Sequence, residues 1–181
     1  METIKILALS GSLRKNSYNT AAIKAIKILA PSNVEITIFS IGDLPLFNPD
    51  REDECILPIK NFIQALKKSD GLIIASPEYA HGVSGPMKNA LDWLVSSVEF
   101  PDKLIMLINT SPRASHAQES LREILTTMSG IVVEKASVSI PLLSSQLDVS
   151  GIIEDKELSN SLKAGLNIFC TEIACKKLNK V

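Results

Sequence analysis

No stretch of this sequence approaches the ~18 consecutive apolar residues that a membrane-spanning helix needs. The first residues, Met1-Glu2-Thr3, lead directly into a short apolar segment, without the basic region, longer apolar run and small-residue cleavage site of a secretory leader. The charges nearly cancel, with 19 Lys and Arg against 20 Asp and Glu, so no overall field favours nucleic acid or an anionic membrane. We therefore expect a cytoplasmic protein that binds neither.

Cysteine is also scarce. Cys55, Cys170 and Cys175 are odd in number and lack the spacing of metal ligands, so we expect free thiols in a reducing cytosol and no bound metal. A chain of 181 residues with 45% hydrophobic content is long enough to bury a sizeable core. No repeat or linker divides it, and we expect a single domain over residues 1–181.

Short apolar segments alternate along the chain with segments of helical period. The first, third and fourth apolar segments are almost wholly apolar, as strands covered on both faces must be. Strands followed by helices imply an α/β fold with a five-stranded parallel sheet and helices on both faces. The predicted strands are 4–9, Val34–Phe39, Gly71–Ala75, 104–108 and 131–138.

In open parallel sheets, ligands bind beyond the carboxyl ends of the strands, near the point where the strand order reverses. This rule selects three loops, which follow the first, third and fourth predicted strands. They span residues 10–20, 76–86 and 109–116, and all three are rich in small, polar or turn-forming residues.

The first loop is suited to an anion, because it offers hydroxyls, an amide and a guanidinium where a helix begins. It has neither the Gly-Lys-Ser/Thr of a Walker loop nor the glycines of a dinucleotide fingerprint, which favours a mononucleotide phosphate. The alternative is that Ser17 or Asn19 merely caps a helix. The hydroxyls are those of Ser10, Ser12, Ser17 and Thr20, the amide is that of Asn19 and the guanidinium is that of Arg14.

The second loop and the helix after it read "SPEYAHGVSGPMKNALDWL". Here the sequence resembles the NADPH-dependent FMN reductase family over nearly its whole length. The matching pieces are Gly11-Ser12-Leu13-Arg14 with Ser17 and Asn19, Ser76-Pro77-Glu78-Tyr79, and Gly85 with Lys88-Asn89-Ala90-Leu91-Asp92-Trp93. The resemblance implies a flavodoxin-like fold with strand order 2-1-3-4-5. Many members have Asn, Ser and Pro where this chain has Ala80, Gly82 and Ser84.

The resemblance also implies FMN as cofactor and NADPH or NADH as electron donor. It assigns Ser12, Arg14, Ser17, Asn19 and Thr20 to the FMN phosphate, with Ser10 beside them. Pro77, Glu78, Tyr79, Ala80 and His81 would lie along the isoalloxazine ring, and Thr110, Ser111 and Arg113 at its other edge.

Three of these residues have a second interpretation. Arg113 either supplies a cation to the charge that collects on a reduced flavin or is a surface residue. Glu78 is expected to be structural, its carboxylate holding loop amides. His81 is either a functional group or an ordinary loop residue.

The function implied by the resemblance is that of an FMN-dependent oxidoreductase with ping-pong kinetics. The nicotinamide would deliver hydride to flavin N5 and leave, and a quinone, azo or nitro compound, metal oxyanion or free flavin would then take the electrons. This scheme needs no catalytic side chain, because the cofactor carries the chemistry. The alternatives are a flavodoxin-like electron carrier and a flavin-binding protein without turnover.

The resemblance finally implies a homodimer, often paired into a tetramer, with the helices after strands three and four at the interface. In the first of these helices, Trp93 lies off the apolar stripe, and we expect an exposed apolar surplus there. The interface candidates are Met87, Leu91, Trp93 and Leu94, and Leu121, Ile124, Leu125 and Met128.

Overall fold

The computed structural model describes residues 3–113 and 115–179. Its strands are β1 (Ile4–Ser10), β2 (Val34–Phe39), β3 (Gly71–Ala75), β4 (Glu78–Tyr79), β5 (Gly82–Val83), β6 (Leu104–Asn109), β7 (Ile131–Val132) and β8 (Val138–Ser139). Its α-helices are α1 (Tyr18–Leu29), α2 (Leu57–Lys67), α3 (Gly85–Asp92), α4 (Ser115–Thr127), α5 (Val149–Glu154) and α6 (Lys156–Leu178). Short 3-10 turns span Pro49–Arg51 and Glu134–Ala136.

The central sheet is parallel and runs in the order β2-β1-β3-β6-β7, with β8 also paired to β6. After β1 the chain builds β2 on one side and then returns to build β3 on the other. The order therefore reverses between β1 and β3, and a cleft forms there at the carboxyl ends of the strands. The predicted α/β class and strand order are confirmed.

The predicted fifth strand, 131–138, is wrong as a continuous element. It divides into β7, paired with Leu104 and Ile105, and β8, paired with Ile108 and Asn109. Between the two, the Ser137 hydroxyl accepts a 3.1 Å hydrogen bond from the Leu107 amide. A side chain thus satisfies the edge of β6 where the ladder is interrupted.

The core lies in two layers, one on each face of the sheet. Because strand side chains alternate between faces, Ile6 and Ala8 of β1 pack on one side and Leu7 and Leu9 on the other. The first layer is covered by α1, α5 and α6, and the second by α2, α3 and α4. On α6, the side chains predicted to form the apolar stripe are all buried: Leu158, Leu162, Leu166, Phe169 and Ile173.

The expected apolar surplus around α3 is not exposed, and that prediction is wrong. Met87, Leu91, Trp93 and Leu94 are all buried within this chain. The reason is that the loop before α2 folds over α3: the Trp93 indole N–H donates a 2.8 Å hydrogen bond to the Pro45 carbonyl. On α4, Leu121 and Leu125 are also buried, whereas Ile124 and Met128 are half-buried.

Within the described residues, no helix combines the length and apolar character needed to cross a membrane.

Candidate functional site

A cavity of about 310 Å³ opens at the carboxyl ends of β1, β3 and β6, and we call it the first cavity. Its volume is at the lower end of the range of small-molecule sites, ~300–1,000 Å³. The three loops selected from the sequence all contribute to its wall. The predicted residues that line it are Ser12, Arg14, Ser17, Asn19, Pro77, Glu78, Tyr79, Thr110, Ser111 and Arg113.

In the first loop, three buried polar side chains accept hydrogen bonds from the protein. The Ser12 hydroxyl accepts from the Arg14 amide, and the Ser17 hydroxyl caps α1 by accepting from the Thr20 amide. The Asn19 side-chain oxygen accepts from the Thr110 hydroxyl at 3.1 Å. Each of these oxygens accepts a hydrogen bond from the protein, while the two hydroxyl protons and the Asn19 NH₂ donate to no other described residue and are available to an anion. A wall of donors is suited to an anion.

Two further features favour negative charge at the same place. The cavity lies at the N-terminus of α1, where the positive end of the helix dipole favours an anion. The Arg14 guanidinium lines the cavity and has no hydrogen-bond or ion-pair partner among the described residues. A phosphate here would receive charge-assisted hydrogen bonds from Arg14 and neutral ones from the loop. The donor set thus fits the phosphate of a mononucleotide.

Ser10 and Thr20, which the resemblance places at the phosphate, are not among the residues that line the first cavity. Their hydroxyls bond to each other at 2.8 Å, so they join the end of β1 to the first turn of α1. Thr20 faces a neighbouring cavity instead. Both residues therefore stabilise the junction of the loop with α1, and their contact with the phosphate stays a prediction.

The first and second loops are joined by a buried hydrogen-bonded contact. The Ser84 hydroxyl donates to the Gly11 carbonyl at 2.6 Å, and the Gly11 amide donates to the Ala75 carbonyl at 2.8 Å. Gly11 must be glycine for this approach, because a Cβ there would lie 2.4 Å from the Ser76 Oγ. The start of the first loop is therefore fixed by β3 and α3.

The second loop is a tight hairpin, formed by β4 and β5, whose two tip residues are Ala80 and His81. Both have positive φ, 49° and 58°, in the left-handed region that the two-residue hairpin turn requires. Neither residue lines the first cavity, and the His81 side chain is 78% exposed. These two residues thus lie at the hairpin tip, outside the lining of the first cavity, and their contact with the flavin ring stays a prediction.

Glu78 connects this hairpin to α4. One of its carboxylate oxygens accepts from the Ala117 amide at 2.9 Å, and the other lies 3.0 Å from the His81 Nδ1. The Ala117 hydrogen bond, assisted by His81, lowers the pKa of the Glu78 carboxyl. The carboxylate thus has a structural role, but the expectation that it holds loop amides is wrong, because the amide belongs to the first turn of α4. His81 also packs edge-on against His116, with ring centroids 4.7 Å apart.

The third loop is shaped by its own short-range hydrogen bonds. The Asn109 side chain accepts from the Ser111 amide at 3.0 Å, and the Ser111 hydroxyl accepts from the Arg113 amide at 3.3 Å. Arg113 is exposed and lines the first cavity together with Thr110 of the same loop. Arg14 and Arg113 give the lining two cations against one carboxylate, Glu78.

Four residues of the wall were missed by the sequence analysis: Tyr18, Ser76, Asn109 and Leu143. The first three belong to or adjoin the selected loops and could have been found from that position. Leu143 comes from the segment after β8, and no motif in the sequence marks it.

The profile of a family described as NADPH-dependent FMN reductase matches residues 4–143. A quinone reductase of Escherichia coli strain K12 is 29% identical over 180 residues, which cover 93% of this chain and 94% of the relative. An NAD(P)H-dependent FMN reductase of Pseudomonas aeruginosa is 32% identical over 162 residues, which cover 86% of this chain and 88% of the relative.

Solved structures share the fold. The flavoenzyme NAD(P)H:(acceptor) oxidoreductase FerB of Paracoccus denitrificans superposes with a TM-score of 0.85 at 25% identity, covering 95% of this chain and 98% of the other. A flavodoxin-type, WrbA-like protein of Agrobacterium tumefaciens gives a TM-score of 0.61 at 13% identity, covering 94% and 97%. The fold is thus flavodoxin-like, as the resemblance implied.

Proposed function

Because the chain belongs to the NADPH-dependent FMN reductase family, and is therefore an oxidoreductase that uses FMN and NAD(P)H, we propose that it passes electrons from NAD(P)H to a small acceptor by a ping-pong scheme. The observation that carries the proposal is the set of buried donors in the first loop, Ser12, Ser17 and Asn19, beside Arg14, which has no partner within residues 3–113 and 115–179. These residues would hold the FMN 5′-phosphate.

The remaining wall of the first cavity would take the flavin ring. Pro77, Glu78 and Tyr79 come from the second loop, and Thr110, Ser111 and Arg113 from the third. FMN bound there would supply the two-electron redox chemistry between NAD(P)H and the acceptor. The protein would orient the nicotinamide and the acceptor against the flavin ring and place a positive charge near that ring. Arg113 would supply this charge.

A quinone is the acceptor that we propose. The support is that relatives matched over more than nine-tenths of this chain are named quinone reductase or 2-hydroxy-1,4-benzoquinone reductase. The mouth of the cavity is suited to a planar apolar ring, since the exposed Tyr79 and Leu143 border it.

We further propose that the protein forms a homodimer, or a pair of dimers, through the region of α3 and α4. The buried stripe of α3 does not support this, but two valines just after α3 do: Val95 is 62% exposed and Val98 is 87% exposed. Light scattering at micromolar concentration tests the proposal, and a monomeric mass would contradict it.

The experiment on function has two steps. The purified protein should be yellow and release FMN on denaturation, and it should oxidise NADPH or NADH only when a quinone such as benzoquinone is supplied. An electron carrier would bind FMN yet react slowly with either nucleotide in stopped flow. A protein without turnover would bind FMN and give no steady-state oxidation.

A further inference from the structure

A second cavity, of about 540 Å³, adjoins the first at the first loop and the start of α1. The two share part of their walls, because Arg14, Ser17 and Tyr18 line both. The Tyr18 hydroxyl accepts a 3.2 Å hydrogen bond from the Gln146 amide, which ties the far wall of the second cavity to the start of α1. The two cavities are therefore neighbouring compartments of one fixed framework.

The second cavity is positively charged. Lys15 and Lys24 line it together with Arg14, and all three are exposed side chains. None of the three has a hydrogen-bond or ion-pair partner for its charged end among residues 3–113 and 115–179. One acid, Asp148, lies on this wall, and its carboxylate is engaged in capping α5 by accepting from the Gly151 amide at 2.9 Å.

The two lysines have no role in the site described so far. Lys15 and Lys24 do not line the first cavity, so the phosphate proposed there is served by Arg14 and by the buried donors. Unpaired cations that converge on a concave surface favour a ligand with concentrated negative charge. The cavity is also large enough for more than an isolated ion.

We propose that the second cavity binds the adenosine 2′-phosphate of NADPH, with Lys15 and Lys24 as its charged contacts. The inference rests on the proposed function, because it requires the nicotinamide of the same molecule to reach the first cavity. The 2′-phosphate is the group by which NADPH differs from NADH, and basic side chains near the ribose commonly accommodate it. The two lysines would then set the preference for NADPH.

The test is the ratio of kcat/KM for NADPH to kcat/KM for NADH, measured for Lys15→Ala, Lys24→Ala and the double variant. Loss of a hydrogen bond to a charged group predicts a fall of about tenfold in this ratio for each single variant. The control is Lys27→Ala, since Lys27 is an exposed lysine of the same helix outside the cavity. It should leave the ratio unchanged.

A binding measurement gives a second readout that does not depend on turnover. By calorimetry, 2′,5′-ADP should bind the wild-type holoprotein more tightly than 5′-AMP, and this difference should shrink in the lysine variants and at high salt. Equal losses for NADPH and NADH would assign the lysines to the shared pyrophosphate and overturn the proposal. An unchanged ratio with unchanged 2′,5′-ADP binding would overturn it as well. Failure of the proposed function is a separate result, namely a wild-type protein that retains no FMN or oxidises neither nucleotide.

Discussion

The hydroxyl of Ser84 donates a 2.6 Å hydrogen bond to the carbonyl oxygen of Gly11, across 73 residues of sequence. The same hydroxyl accepts from the Met87 amide at 3.4 Å and so caps α3. One buried side chain thus begins a helix and fixes the loop proposed to bind phosphate.

We expect Ser84→Ala to lower the free energy of unfolding by about 1–3 kcal/mol, because it leaves the buried Gly11 carbonyl without its donor. Thermal or urea unfolding of the apoprotein measures this loss. Ser32→Ala is the control, since Ser32 is exposed. Identical stability of Ser84→Ala and wild type would show that the link is not needed for the fold.

Gly11→Ala adds only one methyl group, but it should lower both the stability of the protein and its affinity for FMN. The added Cβ would lie 2.4 Å from the Ser76 Oγ and 2.9 Å from the Ser84 Oγ, so the loop must shift. We expect a loss of about 1–3 kcal/mol in stability, with weaker FMN binding. Gly85→Ala is the matched control, because nothing lies within 4 Å of a Cβ at that position. If Gly11→Ala and Gly85→Ala had the same FMN dissociation constant and the same free energy of unfolding, a steric clash at position 11 would be refuted.

The hairpin tip carries backbone strain that substitution can relieve. Ala80 has a φ of 49°, which costs an alanine about 1 kcal/mol and costs asparagine less. Ala80→Asn should therefore raise the free energy of unfolding by about 0.5–1 kcal/mol, and Ala80→Val should lower it. Chemical denaturation measures both. An Ala80→Val variant more stable than wild type would contradict the left-handed backbone conformation at residue 80.

Glu78 should make the free energy of unfolding depend on pH in the acidic range. Its folded-state pKa is lowered by the Ala117 hydrogen bond, so its stabilising effect is present above the unfolded pKa of about 4.3 and is lost as the pH falls through the folded value. The melting temperature of Glu78→Gln should thus be below that of wild type at pH 7, and the gap should close below about pH 4. A difference in melting temperature that stays constant from pH 7 to pH 3 would show that the Glu78 carboxylate does not stabilise the protein through its charge.

The location of the site could be predicted from the sequence because it follows from the parallel direction of the strands. The carboxyl ends of parallel strands meet at one edge of the sheet, so the loops after β1, β3 and β6 had to converge. Apolar segments and turn residues mark those strands without knowledge of their neighbours. The donors of the first loop are visible in the sequence for the same reason.

Tertiary contacts explain what could not be predicted. Trp93 lies off the apolar stripe of α3, which predicts an exposed side chain, but the Pro45 carbonyl and the edge-on ring of Phe47 cover it. Helical periodicity contains no information about a loop that folds over the helix. The break between β7 and β8 likewise depends on the Leu107 amide finding the hydroxyl of Ser137, 30 residues away.

The central claim is that the first loop binds the FMN phosphate through Arg14. The most direct measurement is titration of apoprotein with FMN and with riboflavin, for wild type and Arg14→Ala, with Lys27→Ala as control. Loss of a charged hydrogen bond, worth about 1.5–3 kcal/mol, predicts that Arg14→Ala weakens FMN about ten- to a hundredfold and leaves riboflavin, which lacks the phosphate, unchanged. Equal losses for FMN and riboflavin would contradict the account.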